Sequence, residues 1–410
     1  MLKQINHNKL LEIIDTYVLN SDFYQNKYKN IKISNIQNVP FLTKNELIED
    51  QKKYPPFGSN LSSKLDKIVR IHKTSGTTNK PYLIALTKSD LKIITKIGSK
   101  LFKLTGMKEQ DIVINCLNYN MWMGGYTDHQ SLEKAGVIVV PFGTGNTDNL
   151  ISLMQELNGS SIHCTPSYLG VIKEKLLKLK ITPKELKLKN GYFAAEGGLE
   201  NKKFRKKIEK EWGISAYNAN YGLSEVVSIL GAECQNKNGL HFGALDVLYL
   251  ELIDKNLNSI KIKKGAIGEL VVTHLKKEAQ PLIRYKTGDI FEVLSLKVCN
   301  CGFKGLTFKL SGRIDNMIVI KGINFFPESI RSIITNYSNC SGIYKVIVSK
   351  KEPVEMIKVL IELNSFNLNI EEFRQKLFKD IKEKLNVSVI IEFVNKIEFV
   401  GNKMKILERV

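Results

Sequence analysis

Apolar and polar positions along the chain predict a regular alternation of strands and helices. The first helix is predicted over residues 8–30, with Leu10, Leu11, Ile14 and Tyr17 on one face. Further strands are predicted at 67–71, 82–87, 111–116 and 136–141, with a helix at 89–103. The run at 136–141 is almost continuously apolar, which is typical of a buried parallel strand. This alternation indicates an α/β domain of layered sheets and helices.

The pattern changes after residue 316 into a smaller α+β unit. The predicted elements are a strand at 317–320, a helix from Pro327 to about Thr335, strands at 342–349 and 356–363, a helix at 370–385 and a strand at 387–394. A chain of 410 residues also favours two domains. We therefore expect a large N-terminal domain (1–312), a hinge (313–316) and a small, mobile C-terminal domain (317–410).

The chain is strongly basic, with 61 Lys and Arg against 41 Asp and Glu, a net charge of +20. Such a charge suits nucleic acid, a membrane surface or small anions. The basic residues are dispersed and lack the clustering with stacking aromatics that nucleic-acid binding requires, so that alternative is disfavoured. The sequence has no run of 18 apolar residues and no signal-peptide pattern at its start. Together with only six cysteines, these features predict a cytoplasmic protein without a membrane span.

A hydroxyl-rich segment follows the strand predicted at 67–71. Its glycine permits a tight turn whose N–H groups can face an anion, while the hydroxyls and a lysine add donors. The spacing differs from that of a Walker P-loop, and a polar surface turn is the alternative. The candidate phosphate ligands are Thr74, Ser75, Gly76, Thr77, Thr78 and Lys80.

Two other clusters carry candidate chemistry. Aromatic and methionine side chains beside glycines can line an apolar ligand pocket, with core packing as the alternative; they are Tyr119, Trp122, Met123, Gly124 and Tyr126. Three thiols and an imidazole match the ligands of structural zinc, with free buried cysteines as the alternative; they are Cys234, His241, Cys299 and Cys301. The remaining Cys116, Cys164 and Cys340 are expected in the core.

Five segments in order resemble the motifs of the adenylate-forming superfamily, and most closely those of the phenylacetate–CoA ligase family. Residues 74–81 resemble its phosphate loop, 221–225 its Y-G-x-[ST]-E motif and 284–289 its R-Y-x-T-G-D motif. Residues 312–327 are similar to G-R-x-D-D-M-x-x-x-[RK]-G-x-N-x-[FY]-P, the longest match, and 401–405 to its G-K-x-[KR] signature. Asn79 and Asn402 stand where the family has glycine, and asparagine tolerates the positive φ that such a turn needs.

The resemblance implies a role for each matched residue. Glu225 would hold Mg²⁺, since a hard cation takes carboxylate and phosphate oxygens together; without the resemblance, a carboxylate at a helix start is the alternative. Tyr221 would pack on adenine, with Glu196 beside the adenine-contacting backbone. Asp289 and Arg313 would lie at the ribose.

The resemblance also assigns the hinge, the catalytic lysine and the acyl pocket. Asp315 falls on the hinge position of the family and Lys403 on its adenylation lysine, with Lys405 as the second choice and a solvated lysine as the alternative. Residues 119–126 fall at the acyl pocket, and members of the family can carry the Cys/His set.

The implied function is ATP-dependent activation of a carboxylic acid, aromatic or arylacetic, to an acyl-adenylate with release of pyrophosphate. The acyl group then passes to a thiol, with coenzyme A as the expected acceptor. A carrier-protein thiol and an amine remain open as acceptors, and a homodimer is compatible with the sequence. The implied cofactors are ATP, Mg²⁺, coenzyme A and structural Zn²⁺.

Overall fold

The computed structural model describes residues 4–74, 81–316, 318–320, 323–349, 356–398 and 406–410. Within these ranges, none of the helices is both long and apolar enough to cross a bilayer.

The described helices are α1 His7–Leu19, α2 Asp22–Tyr28, α3 Lys44–Lys53, α4 Lys88–Leu104, α5 Met123–Lys134, α6 Thr147–Glu156, α7 Tyr168–Lys178, α8 Lys202–Trp212, α9 Ser329–Ile334 and α10 Ile370–Leu385. The described strands are β1 Ile68–Lys73, β2 Leu83–Thr87, β3 Ile112–Asn115, β4 Ile138–Val140, β5 Ser161–Cys164, β6 Asn190–Ala194, β7 Ser215–Leu223, β8 Val227–Glu233, β9 Leu240–Phe242, β10 Leu248–Ile253, β11 Ser259–Ile260, β12 Ile267–His274, β13 Tyr285–Ser295, β14 Thr307–Arg313, β15 Ile318–Ile320, β16 Ile323–Phe325, β17 Cys340–Ser349, β18 Met356–Leu363, β19 Ile390–Val394 and β20 Leu407–Arg409. The mixed α/β class expected from the sequence is confirmed.

The single helix predicted over residues 8–30 is wrong, because the chain forms two helices there. Helix α1 ends at Leu19, and the Asn20 side chain donates a hydrogen bond to the Thr16 carbonyl. Ser21 is extended, with φ −143°, before α2 begins. Short polar side chains compete for backbone partners and so favour such breaks. The buried face is as predicted at Leu10, Ile14 and Tyr17.

The compact unit that contains most of residues 1–311 comprises Met1–Gly145, Ser161–His163 and Tyr217–Ser311. Strand β3 pairs in parallel with β4 and β5. The other strands of this unit run in the order β11-β10-β12-β13-β14-β9-β8-β7. Strands β1 and β2 form a separate antiparallel pair. Antiparallel pairing joins β10 to β12, β12 to β13 and β8 to β9.

Strand β4 is parallel as predicted, but the expectation that it is buried is wrong. It is the end strand of the order β5-β3-β4, and Ile138 is 52% exposed. An apolar run therefore predicted the strand correctly and its burial incorrectly.

The second compact unit comprises Asn146–Ser160, Cys164–Ala216 and Gly312–Val410. Its C-terminal sheet has the order β19-β18-β17-β20, and a core that includes Ile330, Tyr344 and Leu377 lies between this sheet and α9 and α10. Helix α10 has the predicted bounds; Asn369 caps its start and Asn386, with φ +54°, ends it. Strands β16 and β20 were not predicted. The proposed boundary at residue 312 and the hinge at 313–316 stay predictions.

Candidate active site

The two ends of the hydroxyl-rich loop are hydrogen-bonded to each other. The Thr74 N–H donates to the Tyr82 carbonyl at 2.9 Å, and the Tyr82 N–H donates to Thr74 Oγ1 at 3.0 Å. Both residues are buried. This pairing closes the base of a turn, as a loop around an anion requires. Ser75, Gly76, Thr77, Thr78 and Lys80, with Asn79, lie outside the described residues.

Glu225 lies close enough to the base of the loop to affect it electrostatically. Burial raises the pKa of the Tyr82 phenol well above its usual value; a hydrogen bond from Asn60 opposes this rise, and the Glu225 charge adds to it. Glu225 is buried in the turn between β7 and β8, so the alternative of a helix-start carboxylate is wrong. The Tyr285 hydroxyl donates to Glu225 Oε1 at 2.7 Å, and Lys44 Nζ lies 3.5 Å from the same oxygen.

Tyr221 and Asp289, the predicted adenine and ribose residues, are in direct contact. The Tyr221 hydroxyl donates to Asp289 Oδ2 at 2.7 Å, and both residues are buried. The Tyr221 ring packs edge-on against Phe291 and Phe308. At Gly222, an added Cβ would lie 1.9 Å from the Ser228 carbonyl oxygen, so glycine is required where β7 approaches β8 this closely.

The aromatic and glycine segment adjoins the strand that leads into the loop. The Lys73 N–H donates to the Met121 carbonyl at 3.0 Å, and His72 Nδ1 lies 3.1 Å from the same oxygen. Met121 adopts φ +59°, which a methionine rarely does, and α5 starts two residues later. The candidate acyl segment and the loop base are therefore neighbours within one unit.

Side chains of this segment differ in their surroundings. Met123 is buried, Tyr126 is exposed beneath the Arg70 guanidinium at 4.4 Å, and Trp122 is partly buried at the N-cap of α5. The Tyr119 hydroxyl accepts from Asn115 Nδ2 at 2.8 Å and lies 3.0 Å from His129 Nδ1. An added Cβ at Gly124 would meet one protein atom, a leucine methyl carbon at 3.7 Å.

The sequence analysis did not predict two buried clusters of hydrogen-bonded polar side chains in the same unit. Asp128 lies 2.8 Å from His163 Nε2 and accepts from Asn220 Nδ2 with both oxygens, at 3.0 and 2.8 Å. This contact ties α5 to the residue before Tyr221.

Arg284 forms the second of these clusters. It donates to both carboxylate oxygens of Glu251, at 3.0 and 2.8 Å, and to the carbonyls of Gln37 and Val39. The single glutamate in the apolar run 247–253 was the signal in the sequence.

The four predicted zinc ligands converge. All four candidate ligand atoms, those of Cys234, His241, Cys299 and Cys301, lie within 4.8 Å of one another. Cys234 Sγ is 3.9 Å from Cys299 Sγ, and Cys301 Sγ is 3.5 Å from His241 Nε2. Tetrahedral zinc with Zn–S bonds of about 2.3 Å requires S–S separations of about 3.8 Å, so these positions fit the metal.

Local chemistry also suits a metal. Burial lowers the pKa of His241 to about 4, so at neutral pH its imidazole is neutral and Nε2 can act as a ligand. His241 Nδ1 lies 3.0 Å from Thr307 Oγ1, a partner that fixes the ring. A backbone hydrogen bond from Cys301 lowers the pKa of Cys299, whereas burial raises that of Cys234 to about 12. The remaining cysteines, Cys116, Cys164 and Cys340, are buried as expected, and the six form no disulfide.

The remaining predicted residues belong to the second unit. Glu196 accepts from the N–H and hydroxyl of Ser167, at 3.2 and 2.8 Å. Arg313 Nη2 and Asp315 Oδ2 form an ion pair at 2.9 Å. Lys403 and Lys405 lie outside the described residues.

Comparison with known proteins decides the family. Residues 322–409 match the family model described as AMP-binding enzyme C-terminal domain. The chain is 30% identical over 365 residues to a phenylacetate-coenzyme A ligase of Aromatoleum evansii, an alignment covering 87% of this chain and 80% of that protein. This chain belongs to the phenylacetate–CoA ligase family. A second relative with the same name, from Thermus thermophilus, is 29% identical over 81% of this chain and 73% of its own.

Solved structures share the fold of this family member. A 2-hydroxyisobutyryl-CoA ligase in the postadenylation state superposes with a TM-score of 0.88 at 22% identity, covering 98% of this chain and 88% of that one. An anthranilate CoA ligase gives a TM-score of 0.62 at 17% identity, covering 84% and 67%. At these identities the likeness establishes the fold of an adenylate-forming CoA ligase with a small C-terminal domain.

Proposed function

We propose that this member of the phenylacetate–CoA ligase family activates a carboxylic acid with ATP and passes the acyl group to coenzyme A. The observation that carries the proposal is the convergence, in one unit, of Glu225, the Thr74–Tyr82 loop base and the Tyr221–Asp289 pair. The three segments that carry them lie far apart in sequence, and residues 74–81, 221–225 and 284–289 match the family's motifs in order. Nucleotidyl transfer depends on positioning and charge stabilisation, and carboxylate, hydroxyl and backbone N–H groups provide both.

Each residue then has a defined task. Glu225 would hold the Mg²⁺ of MgATP, which would supply positive charge to the phosphates. Thr74 to Lys80 would bind the phosphates, and Tyr221, Asp289, Glu196 and Arg313 the adenosine. The adjacent segment at residues 119–126 would hold the acid.

The acid is proposed to be aromatic or arylacetic. Four curated relatives are named phenylacetate-coenzyme A ligases, and the segment at 119–126 is rich in aromatic side chains. Coenzyme A is the proposed acceptor because the relatives bear its name and a structural neighbour was solved with 2-HIB-AMP and CoA.

Pyrophosphate release with phenylacetate, benzoate and an aliphatic acid tests the reaction, and mass analysis of the products identifies the acceptor. Glu225→Gln should reduce acid-dependent pyrophosphate release with the fold intact. Glu292→Gln is the control, since Glu292 lies in the same unit, has a lysine partner at 2.8 Å and belongs to none of the motifs. Pyrophosphate release that is independent of every acid would refute the function; acylation of a carrier protein or an amine instead would change the acceptor.

We further propose that the small domain swings about Asp315 between the two half-reactions. Adenylation needs Lys403 beside the carboxylate, whereas thioester formation needs that space for a thiol. Lys403→Ala should abolish adenylation yet still consume supplied acyl-adenylate, while Asp315→Pro should adenylate and fail to transfer. Equal loss of both half-reactions in both variants would exclude this mechanism.

The four-ligand cluster is proposed to hold structural zinc. Elemental analysis of protein purified without added metal should give about one zinc per chain. Cys301→Ser should reduce the zinc content, whereas Cys340→Ser, at a buried cysteine of the other unit, should not. Equal zinc content in the two variants would show that the metal is bound elsewhere. The cytoplasmic location and a homodimer stay predictions.

A further inference from the structure

Lys44 lies at the start of a capped helix. It is the first residue of α3, directly after the N-cap Thr43, whose side chain and Glu46 form a complete capping box. The N-terminus of a helix carries partial positive charge, so a lysine there is electrostatically unfavourable. Lys88 and Lys202 begin α4 and α8 in the same way, so it is the contact of Lys44 with Glu225, and not its place in the helix, that indicates a role.

The backbone directs Lys44 towards Glu225. The Leu42 N–H donates to the Arg284 carbonyl at 3.0 Å, and the Lys286 N–H donates to the Leu42 carbonyl at 2.9 Å. This short parallel bridge holds the start of α3 against the residue whose hydroxyl contacts Glu225, namely Tyr285. Lys44 Nζ then lies 3.5 Å from Glu225 Oε1.

The two charged groups differ in exposure. The Glu225 side chain is 7% exposed and that of Lys44 is 28% exposed. A carboxylate so deeply buried needs a positive partner, while a partly exposed ammonium can turn to another anion. The geometry therefore permits exchange of the cation beside Glu225.

We propose that Lys44 is the counter-ion of Glu225 before the nucleotide binds, and that its ammonium would turn to the ATP phosphates when Glu225 takes the divalent cation of the nucleotide. This inference rests on the metal role proposed for Glu225. A divalent cation held by Glu225 would repel the neighbouring Lys44 ammonium, so Lys44 would turn away from Glu225. The phosphates supply the anion that retains the lysine in the site.

Metal binding measured with and without nucleotide separates this role from a structural one. Mn²⁺ replaces Mg²⁺ as a spectroscopic probe, and its affinity is titrated in nucleotide-free protein and with a non-hydrolysable ATP analogue. Lys44→Met should bind Mn²⁺ alone about tenfold more tightly, because the competitor is gone, which corresponds to about 1.4 kcal/mol. The same variant should bind the Mn²⁺–nucleotide complex more weakly, and Lys44→Arg should restore that binding.

Lys309 provides a control in the same unit, outside the motifs of the candidate site. Its Nζ lies 2.8 Å from Glu292 Oε2, and the two side chains are 43% and 26% exposed. Lys309→Met should leave both affinities unchanged. Shifts of the two affinities in the same direction, or no shift, in Lys44→Met would overturn the inference. If Glu225→Gln leaves Mn²⁺ affinity unchanged, the metal role of Glu225 fails first, which distinguishes the two outcomes.

Discussion

The buried pair of Arg284 and Glu251 allows a quantitative test of how the site is held together. Both side chains are almost completely buried, and two hydrogen bonds of 2.8 and 3.0 Å join them. Burial nevertheless raises the pKa of Glu251, and Arg284 only partly opposes that rise. The pair is therefore costly to bury, and each member depends on the other.

The expected energies follow from this arrangement. Replacing one member of a buried pair costs about 3–5 kcal/mol, because the other charge is left without its partner. We take about 4 kcal/mol each for Arg284→Met and Glu251→Leu. The double variant should lose about 5 kcal/mol, because the carbonyls of Gln37 and Val39 still lose their donor. The coupling energy is then about 3 kcal/mol, at the upper end for residues in contact.

Urea unfolding followed by tryptophan fluorescence measures these differences. The chain has two tryptophans; Trp122 belongs to the unit that contains the pair, and Trp212 to the other. A Trp212→Phe background therefore makes the signal specific to the relevant unit. The control is Lys309 and Glu292, a partly exposed pair in the same unit with a separation of 2.8 Å, for which coupling below about 1 kcal/mol is expected.

The pH dependence has a defined sign. A carboxyl group whose folded pKa lies above its unfolded value favours folding at low pH, and this contribution is lost as pH rises through the folded pKa. Without Arg284 the Glu251 carboxyl loses the partner that lowers its pKa, so Arg284→Met should recover stability relative to the parent as pH falls and Glu251 becomes protonated. Additive single effects, or coupling no larger than that of the partly exposed control pair, would refute the burial argument.

Two further predictions concern the glycines in the first turn of α5 and the carboxylate of Glu46, which caps α3. Gly125→Ala should lower the melting temperature of the protein, because its Cβ would lie 2.3 Å from the Asn118 carbonyl oxygen, whereas Gly124→Ala should be tolerated and change only the KM for the acid; equal melting temperatures would contradict this. Burial alone would raise the pKa of Glu46, but hydrogen bonds from Lys27 and from Thr43 at the helix cap outweigh this effect and lower it. The stabilising effect of the Glu46 carboxylate is therefore present at neutral pH and lost on acidification. The difference in urea midpoint between the parent and Glu46→Gln should shrink below about pH 4, and a constant difference would contradict that assignment.

The sequence by itself determined the local elements wherever periodicity and capping agreed. The bounds of helix α10 were predicted because neighbouring residues decide such features, and the structure shows Asn369 and Asn386 at its ends. The order of the motifs also predicted the family. The set of Cys234, His241, Cys299 and Cys301 was predicted from ligand chemistry, although its members lie up to 67 residues apart.

Only the tertiary structure decided which distant groups meet and which surfaces are covered. The exposure of β4 depends on its place at the end of the strand order, which an apolar run does not encode. The pair of Arg284 and Glu251 and the approach of Lys44 to Glu225 join segments that are distant in sequence. Hydrophobic periodicity reports the environment of neighbouring residues along the chain, whereas the partner of a buried charge is chosen by the packing of the whole unit.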